Sequence, residues 1–509
     1  MKAATRPTID GLSDAKALQL IGLLIDSASD ARSVQDTEHS FTLLDQITRR
    51  KLSPKLIPLV HYFRANAWAN REQLQSNPNV WAWEQPECQE QILELQRAVR
   101  YDVFAELPTL RQCQILTNLA NQLNKIGRFI DAVEFYDHAL SLNSKFGMAH
   151  GNRGIALSHY ARALYDDGHT AFMLAVACDS LKAAIANDAF YEGLGYAPAQ
   201  EAFRERAKHI AVRMDVSAPR KLRSKKYSAG RSAAERRYRN WCLHNRLFIN
   251  PLNDLGVLSI AAHDVLTLPS LTVSVAERAA VPGVIGFFNQ MKQEFVSARL
   301  LYYEGTTSTR AHFSDRGVLL YNTLDYPAYS LAIEKTRAAF RLVYSLFDKI
   351  SFFINHYLQL GHDPNRVSFR SVWYEAKGKM PRPLLTPLAA CQNWPLRGLF
   401  WLSKDLFEGE FRSVTEPDAE SLNEIRNHLE HKYLQIHQEI VPLDSHALGH
   451  SIYRDDFADK TLRLLKLARA SLIYLSLAVW SEERRGHQSR PRKAVVSLPL
   501  DIWCDEWKH

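Results

Sequence analysis

Apolar residues recur at helical spacing through most of the chain, and this periodicity restricts the fold more than any other feature of the sequence. From Ala15 to about Val212, helical patterns follow one another with short breaks and almost no strand pattern. Side chains three and four residues apart share one face of an α-helix, so the pattern predicts helices that pack through that face. Glycine and proline are sparse, at 21 each in 509 residues. The sequence therefore predicts an all-α fold.

The composition limits the class of protein. A chain with 46% hydrophobic residues can bury large cores and is expected to form two to four domains. A net charge of +8 indicates a mild preference for polyanions. The cysteines are scattered without a C-x-x-C pair, which favours a reducing cytoplasm over a disulfide framework or zinc site. The N-terminus lacks a signal-peptide core, and the apolar run from Ala468 to Trp480 is too short to span a membrane. We expect a cytoplasmic protein without a membrane partner.

The clearest unit of the N-terminal half runs from Leu116 to Asn143, with a turn at Gly127-Arg128. Small residues where its two helices would cross, with large ones between, resemble a tetratricopeptide (TPR) repeat, although Ser144 replaces the frequent final proline. A further unit begins near Gly151, and its second helix is predicted from Thr170 to Ala186 after an irregular insertion. Residues 1–213 are therefore expected to form a TPR-like helical repeat domain. Such arrays offer extended surfaces for a protein or peptide ligand.

Residues 214–275 form a basic connector. Ten lysine or arginine residues lie between Arg220 and Arg246 against one acidic residue, and aromatic residues interleave with them. One interpretation is an RNA-binding strip, in which phosphates would be contacted by Arg236, Arg237 and Arg239. The other is a solvated linker that docks through Trp241 and Phe248. Charge runs usually indicate exposure, which favours the linker.

The C-terminal half is predicted to be a helical bundle over residues 276–485, with an insertion near 361–395 and a tail over 486–509. The predicted helices are Val284–Ala298, Ala339–Tyr357, Leu399–Phe407 and Lys460–Ser481. The last of these is apolar almost all round, which predicts a central position.

Between these helices, the sequence from Ser421 to Tyr433 carries polar residues that packing does not require. An apolar stripe predicts one helix from a cap at Thr415 to a stop at Pro442, through Leu422, Ile425, Leu429, Tyr433, Ile436 and Ile440. At about 100° per residue, Arg426 lies on the edge of this stripe, Asn427 well round the helix and His431 nearly opposite. A cation, an amide and an imidazole therefore occupy the hydrophilic side of the predicted helix.

The Arg426-Asn427 pair, with His431 five positions after the arginine, resembles the R-x4-6-H motif of the HEPN family. HEPN domains are small helical bundles, and many are RNases that cut RNA without a metal. The segment from Asn393 to Leu406 adds to the resemblance, which looks like the bacterial subgroup with TPR-like repeats before a HEPN domain. It covers most of residues 110–480. A second match, Arg239 to His244, lacks the repeating apolar stripe and ranks low.

The resemblance implies a metal-independent endoribonuclease with no cofactor, whose partner is RNA and whose nucleophile is the 2′-hydroxyl of the substrate. His431 suits acid–base work, Arg426 can fork onto phosphate oxygens, and Asn427 can orient either group. Glu430 and His428 are supporting candidates. Arg426 and His431 lie about 140° apart on an ideal helix. The resemblance therefore implies a homodimer in which two HEPN domains share a composite site, controlled by the TPR-like half in stress response or antiviral defence.

Other interpretations remain open. Arg426 and Glu430, at spacing four, suit an ordinary surface pair, and the protein would then be a non-catalytic TPR/HEPN interaction or RNA-binding scaffold protein. A metal site at His446 and His450, with His437 upstream, requires a helix that Pro442 interrupts. No G-x-x-x-x-G-K-[ST], G-x-G-x-x-G or G-x-S-x-G motif supports a nucleotide-binding protein or a serine hydrolase.

Overall fold

A computed structural model describes residues 6–75, 79–193, 195–272, 281–321, 326–376, 382–414, 418–438, 449–489 and 500–508. Helices dominate this part of the chain, which confirms the predicted all-α class. The N-terminal half contains α1 (Asp14–Asp30), α2 (Val34–Thr48), α3 (Ile57–Gln73), α4 (Pro86–Arg100), α5 (Thr109–Lys125), α6 (Phe129–Leu142), α7 (Gly147–Ala163), α8 (Asp167–Ala184) and α9 (Ala197–Arg213).

The rest of the chain contains α10 (Ser217–Ser224), α11 (Ala233–His244), α12 (Val281–Thr307), α13 (Leu331–Tyr357), α14 (Thr386–Ala389), α15 (Trp394–Phe407), α16 (Gly409–Val414), α17 (Asp418–His431), β1 (Tyr433–His437), β2 (Gly449–Tyr453) and α18 (Arg454–Ser489). No helix in the described ranges is both long and apolar enough to cross a membrane.

The N-terminal helices pack as successive pairs. The helices of α1–α2, α3–α4, α5–α6 and α7–α8 contact each other, and α4, α6 and α8 contact the helix that follows. Small residues allow the close crossings: a Cβ on Gly151 would lie 2.2 Å from the Phe203 ring, and one on Gly154 would lie 2.6 Å from Leu181. The irregular insertion predicted before Thr170 is wrong, because only residues 164–166 separate α7 from α8.

Both halves of the chain contribute to one cluster of buried apolar side chains, which extends from Tyr62 in α3 to Val479 in α18. A smaller cluster lies among α1, α2 and α3. α15 lies on the boundary between the halves, where the indole of Trp394 donates to the Asn124 carbonyl (3.0 Å) and that of Trp401 to the Trp83 carbonyl (3.0 Å). The domain boundaries at residues 213 and 275 therefore stay a prediction, since the cluster of buried apolar side chains continues across both.

The C-terminal helices pack around α18, which contacts α12, α13 and α15. Its middle is buried on every side, as predicted from its composition, and its observed ends lie beyond both ends of the predicted Lys460–Ser481 helix. α15 likewise begins at Trp394, earlier than the predicted Leu399. In the predicted insertion, Trp373 is completely buried and donates to the Phe369 carbonyl at 2.8 Å, so this segment forms part of the core.

The prediction of one long helix from Thr415 to Pro442 is wrong at its C-terminal end. α17 ends at His431, and β1 follows, paired in parallel with β2 so that Tyr433 lies opposite Gly449. The Ala328 amide donates to the Ile436 carbonyl at 2.6 Å, so β1 also makes a backbone bond on its other side. These bonds satisfy backbone N–H and C=O groups of the extended segment. In a continued helix, hydrogen bonds within the helix would have satisfied them. Thr415, Pro417, Ile440 and Pro442 lie outside the described residues.

Candidate functional site

α17 carries the candidate site and is held by its apolar side. Leu422, Ile425 and Leu429 are buried, and the helix contacts α13, α15 and α16. This arrangement confirms the part of the predicted stripe that lies within the helix. Arg426, Asn427 and His428 are each only half-buried. Their side chains therefore contact the rest of the protein and are also accessible from solvent.

The Arg426 guanidinium lies against α13 instead of projecting freely from its domain. Its central carbon is 5.6 Å from the centroid of the Tyr344 ring, and one of its nitrogens is 3.4 Å from the Asn427 side-chain oxygen. Burial raises the pKa of Asp348, also on α13, while a backbone hydrogen bond from Phe369 and the charge of Arg426 oppose that rise. Contact with an aromatic face holds the guanidinium while leaving its edge available to an anion.

His431 is the last residue of α17, and its side chain lies outside the described residues. The structure thus places its backbone one turn beyond Asn427 but does not place its imidazole relative to Arg426. The joint action of Arg426, Asn427 and His431 stays a prediction.

Glu430 is also directed toward α13. One of its carboxylate oxygens lies 3.7 Å from Nε of Arg341, and Arg341 also donates to the Leu429 carbonyl. Both partners of this ion pair are well exposed, so it contributes little to stability. The surface pair considered from the sequence joined Glu430 to Arg426, but the described ion pair joins it to Arg341.

On the other flank of α17, Glu424 and His428 meet His450 of β2. Nδ1 of His450 lies 3.3 Å from a carboxylate oxygen of Glu424, and the imidazole centroids of His428 and His450 are 5.5 Å apart. His428 also donates through Nδ1 to the Glu424 carbonyl at 2.9 Å. Burial lowers the pKa of His450 below 6.5; the charges of His428 and Lys460 act in the same direction, and Glu424 opposes them.

The sequence did not predict this cluster. His450 was considered there only as a helical metal ligand with His446, but it lies on β2, and His446 is outside the described residues. The segment Gly449–Tyr453 does not alternate polar and apolar residues, so no local signal in the sequence indicated this strand. In the described part of the chain, no group of three or more histidine, cysteine or acidic side chains is placed to hold a metal ion.

The basic connector contains both exposed and internally paired arginines. Arg236 and Arg237 are exposed on α11. Arg239, by contrast, pairs with Glu235 at 2.9 Å and donates to the Ala262 carbonyl at 3.3 Å. In the second match to the sequence motif, His244 contacts the carbonyl of Asn240, one turn earlier in the same helix, at 2.7 Å.

The aromatic residues of α11 are partly buried and pack against α12. The Tyr238 hydroxyl accepts from Nε of Arg299 at 2.9 Å, and the Trp241 ring stacks 5.8 Å from that of Tyr302, both partners belonging to α12. Arg299 forms a buried ion pair with Asp264 at 2.8 Å. These contacts favour the interpretation of the connector as a docked linker, because its rings are occupied by the bundle.

The comparison with known families concerns the region that contains α17. Residues 275–482 match the family model described as LA2681-like HEPN. This match supports a HEPN domain in the C-terminal half, and HEPN domains are generally related to RNases. The helical array before residue 275 lies outside the match. No curated protein and no solved structure matches the chain.

Proposed function

We propose that the protein is a metal-independent endoribonuclease of bacterial stress response or antiviral defence, with its active site on α17. The observation that carries this proposal is the position of Arg426 and Asn427, half-buried and adjacent on a helix of the region that matches a HEPN model. Arg426 would bind the phosphodiester, Asn427 would orient it, and His431 would transfer protons. His428 and Glu430 remain supporting candidates, and the chemistry requires no cofactor.

The reaction uses the nucleophile that RNA itself supplies. The 2′-oxygen forms a bond to phosphorus as it loses its proton, and the bond from phosphorus to the 5′-oxygen breaks as that oxygen gains one. The products are a 2′,3′-cyclic phosphate and a 5′-hydroxyl end. A fixed guanidinium stabilises the charge that develops on the phosphoryl oxygens.

A homodimer would complete the site. Exposed apolar side chains lie in the segment before α13, including Leu319 (88% exposed) and Tyr321 (89%), next to Val318 and Leu320. Tyr329, also before α13, shares a hydrogen bond between hydroxyls with Tyr433 of the strand that follows α17. Large exposed apolar patches commonly mark interaction surfaces. We assign this one to a second copy of the chain, because that copy would then lie close to the polar side of α17.

The helical array would act as the controlling half. α16 contacts α4 of the array on one side and α17 on the other. Lys404 of α15 reaches Gln89 of α4 at 3.2 Å. A protein or peptide bound to the TPR-like surface could therefore change the position of α17 through these helices.

The proposal is tested by incubating the purified protein with total RNA in EDTA. We expect cleavage, 3′ ends with cyclic phosphate, and resistance of a substrate with 2′-deoxyribose at the cut. Arg426→Ala and His431→Ala should each reduce the rate by about 10²–10⁴-fold, and His244→Ala should cleave normally. Equal cleavage of the deoxy substrate, or a requirement for magnesium, would show that the assignment of these residues is wrong.

Mixing the two inactive variants tests the composite site. If the Arg426 of one subunit works with the His431 of its partner, each mixed dimer contains one intact site. Random mixing makes half of the dimers mixed, so about a quarter of the wild-type activity should return. A mixture as inactive as its components would exclude a shared site while leaving a site within one chain.

The second candidate is a non-catalytic scaffold that binds RNA or a partner protein. The contact of Arg426 with Tyr344 favours it, because this guanidinium has a packing role within its own chain. A scaffold would bind RNA without cleaving it, so the assay in EDTA separates the two functions. The cytoplasm suits either function.

A further inference from the structure

The early end of α17 has a consequence for its polar surface. Because the chain leaves the helix after His431 and returns as β2, His450 is brought beside Glu424 and His428. On an ideal helix Glu424 and His428 lie about 20° and 60° around the axis from His431 and about 160° from Arg426. The side chain of His450 retains 23% of its exposure, so this group is accessible from solvent.

The contacts of the two imidazoles fix which nitrogen carries the hydrogen. A carboxylate and a carbonyl can only accept hydrogen bonds. Nδ1 of His450 therefore carries a hydrogen toward Glu424, and Nδ1 of His428 carries one toward the Glu424 carbonyl. In each neutral ring Nε2 is then the atom that can accept a proton. A carboxylate that orients an imidazole in this way is the arrangement used to prepare histidine bases.

We propose that His450 is a further proton-transfer residue of the composite RNA-cleaving site and that Glu424 is its positioning residue. His450 would act with His431 of its own chain on a phosphate held by Arg426 of the partner subunit. The inference rests on the proposed function. As the 2′-oxygen bonds to phosphorus, its proton passes to Nε2 of His450, which becomes an imidazolium paired with the Glu424 carboxylate. As the bond from phosphorus to the 5′-oxygen breaks, that oxygen takes a proton from His431. Transfer of a proton from His450 to His431 through solvent restores the starting state.

The charges around His450 suit a base. Burial, the neighbouring His428 and Lys460 of α18 all oppose the charged form, and Glu424 alone among these groups favours it. The balance of these influences favours the neutral imidazole, which is the form that can accept a proton. Since the Glu424 charge supports the imidazolium, Glu424→Gln should lower the pKa of His450 further.

The experiment compares His450→Ala with His169→Ala in the RNA-cleavage assay. His169 is a matched control, because its Nδ1 also contacts a carboxylate, Asp166 at 2.7 Å, but it lies in α8 of the helical array. We expect His450→Ala to lose about 10²–10⁴-fold in rate, with unchanged helicity and RNA binding, and to regain activity with added imidazole. His169→Ala should match the wild type.

A second measurement does not depend on the stability of the alanine variant. The rate of a neutral base rises with pH through its pKa, so Glu424→Gln should move the acidic limb of the rate profile to lower pH. An unmoved limb, or His450→Ala as active as His169→Ala, overturns the role of His450 while the proposed function stands. A wild-type protein that does not cleave RNA overturns both.

Discussion

Gly398 of α15 lies against the turn between α5 and α6, and its replacement by alanine tests how tightly the two halves of the chain are joined. A Cβ on Gly398 would lie 2.3 Å from the Gly127 carbonyl oxygen and 2.9 Å from its carbon. Ordinary contacts of a Cβ begin near 3.4 Å, and both obstacles are backbone atoms that cannot rotate away. Gly398→Ala must therefore move α15 or the turn by about 1 Å.

The expected cost follows from what crosses this boundary. Overpacking a core by one methyl group typically costs about 1–3 kcal/mol. The same displacement would weaken the indole hydrogen bonds of Trp394 and Trp401 to the array, each worth about 1 kcal/mol. Alanine recovers about 1 kcal/mol over glycine within a helix. We expect a net loss of about 1–3 kcal/mol in the free energy of unfolding.

Gly286→Ala in α12 provides the matched control. It makes the same substitution within a helix, but no atom lies within 4 Å of the added Cβ, so it should stabilise the protein by about 1 kcal/mol. Urea unfolding followed by tryptophan fluorescence measures the difference, since Trp83, Trp394 and Trp401 lie at the boundary. If Gly398→Ala unfolds at the same urea concentration as Gly286→Ala, α15 is not seated on the turn as described.

The remaining predictions concern RNA and assembly. Arg236→Gln with Arg237→Gln should weaken RNA binding and reduce the salt slope of the affinity by about one for each lost phosphate contact. Arg49→Gln, an exposed control in the array, should change neither the affinity nor its slope. Unchanged binding by the double variant would leave α11 as a linker. Leu319→Asp with Tyr321→Asp should convert the proposed dimer to a monomer in light scattering and reduce cleavage, whereas Val212→Asp, also exposed, should not. A wild-type monomer at micromolar concentration, at both low and physiological salt, would contradict the composite site.

The sequence predicted elements whose packing depends on one repeated face. The helices on either side of Gly127 are α5 and α6, and the small residues expected at crossings are close to neighbouring helices. Helical periodicity is a local property, so it survives without knowledge of the partner helix. The same periodicity failed after His431, because Tyr433 and Ile436 fit a helical stripe as well as an extended segment. The extended form is stabilised by pairing with β2, residues 449–453, which lies too far along the chain for a local pattern to indicate it.

The buried ion pairs likewise could not be predicted from local sequence patterns. Arg469 of α18 pairs with Asp254 at 2.6 Å, and the hydroxyl of Tyr160 donates to the same carboxylate at 2.8 Å. Arg128 of the array likewise pairs with Asp405 of α15. In each case the partners are far apart in sequence, so no spacing rule could join them. From the sequence alone, each of these charged residues would be expected in contact with water. Its burial is possible only because an oppositely charged partner is buried beside it.

The polar residues of α15 contributed to the resemblance to a HEPN segment, but the resemblance did not indicate what these residues contact. Arg397 donates to the Val80 carbonyl at 2.9 Å and to that of Lys125, and burial lowers its pKa to about 10, so it remains charged at neutral pH. Lys404 and Asp405 also contact the helical array. The polar residues that resemble a HEPN segment thus hold the two halves together. A ligand of the array can affect α17 only if it binds more tightly to one arrangement of these contacts than to another. Control of the proposed nuclease therefore requires α15 and α16 to have two arrangements, and tight packing at Gly398 would make any change between them discrete.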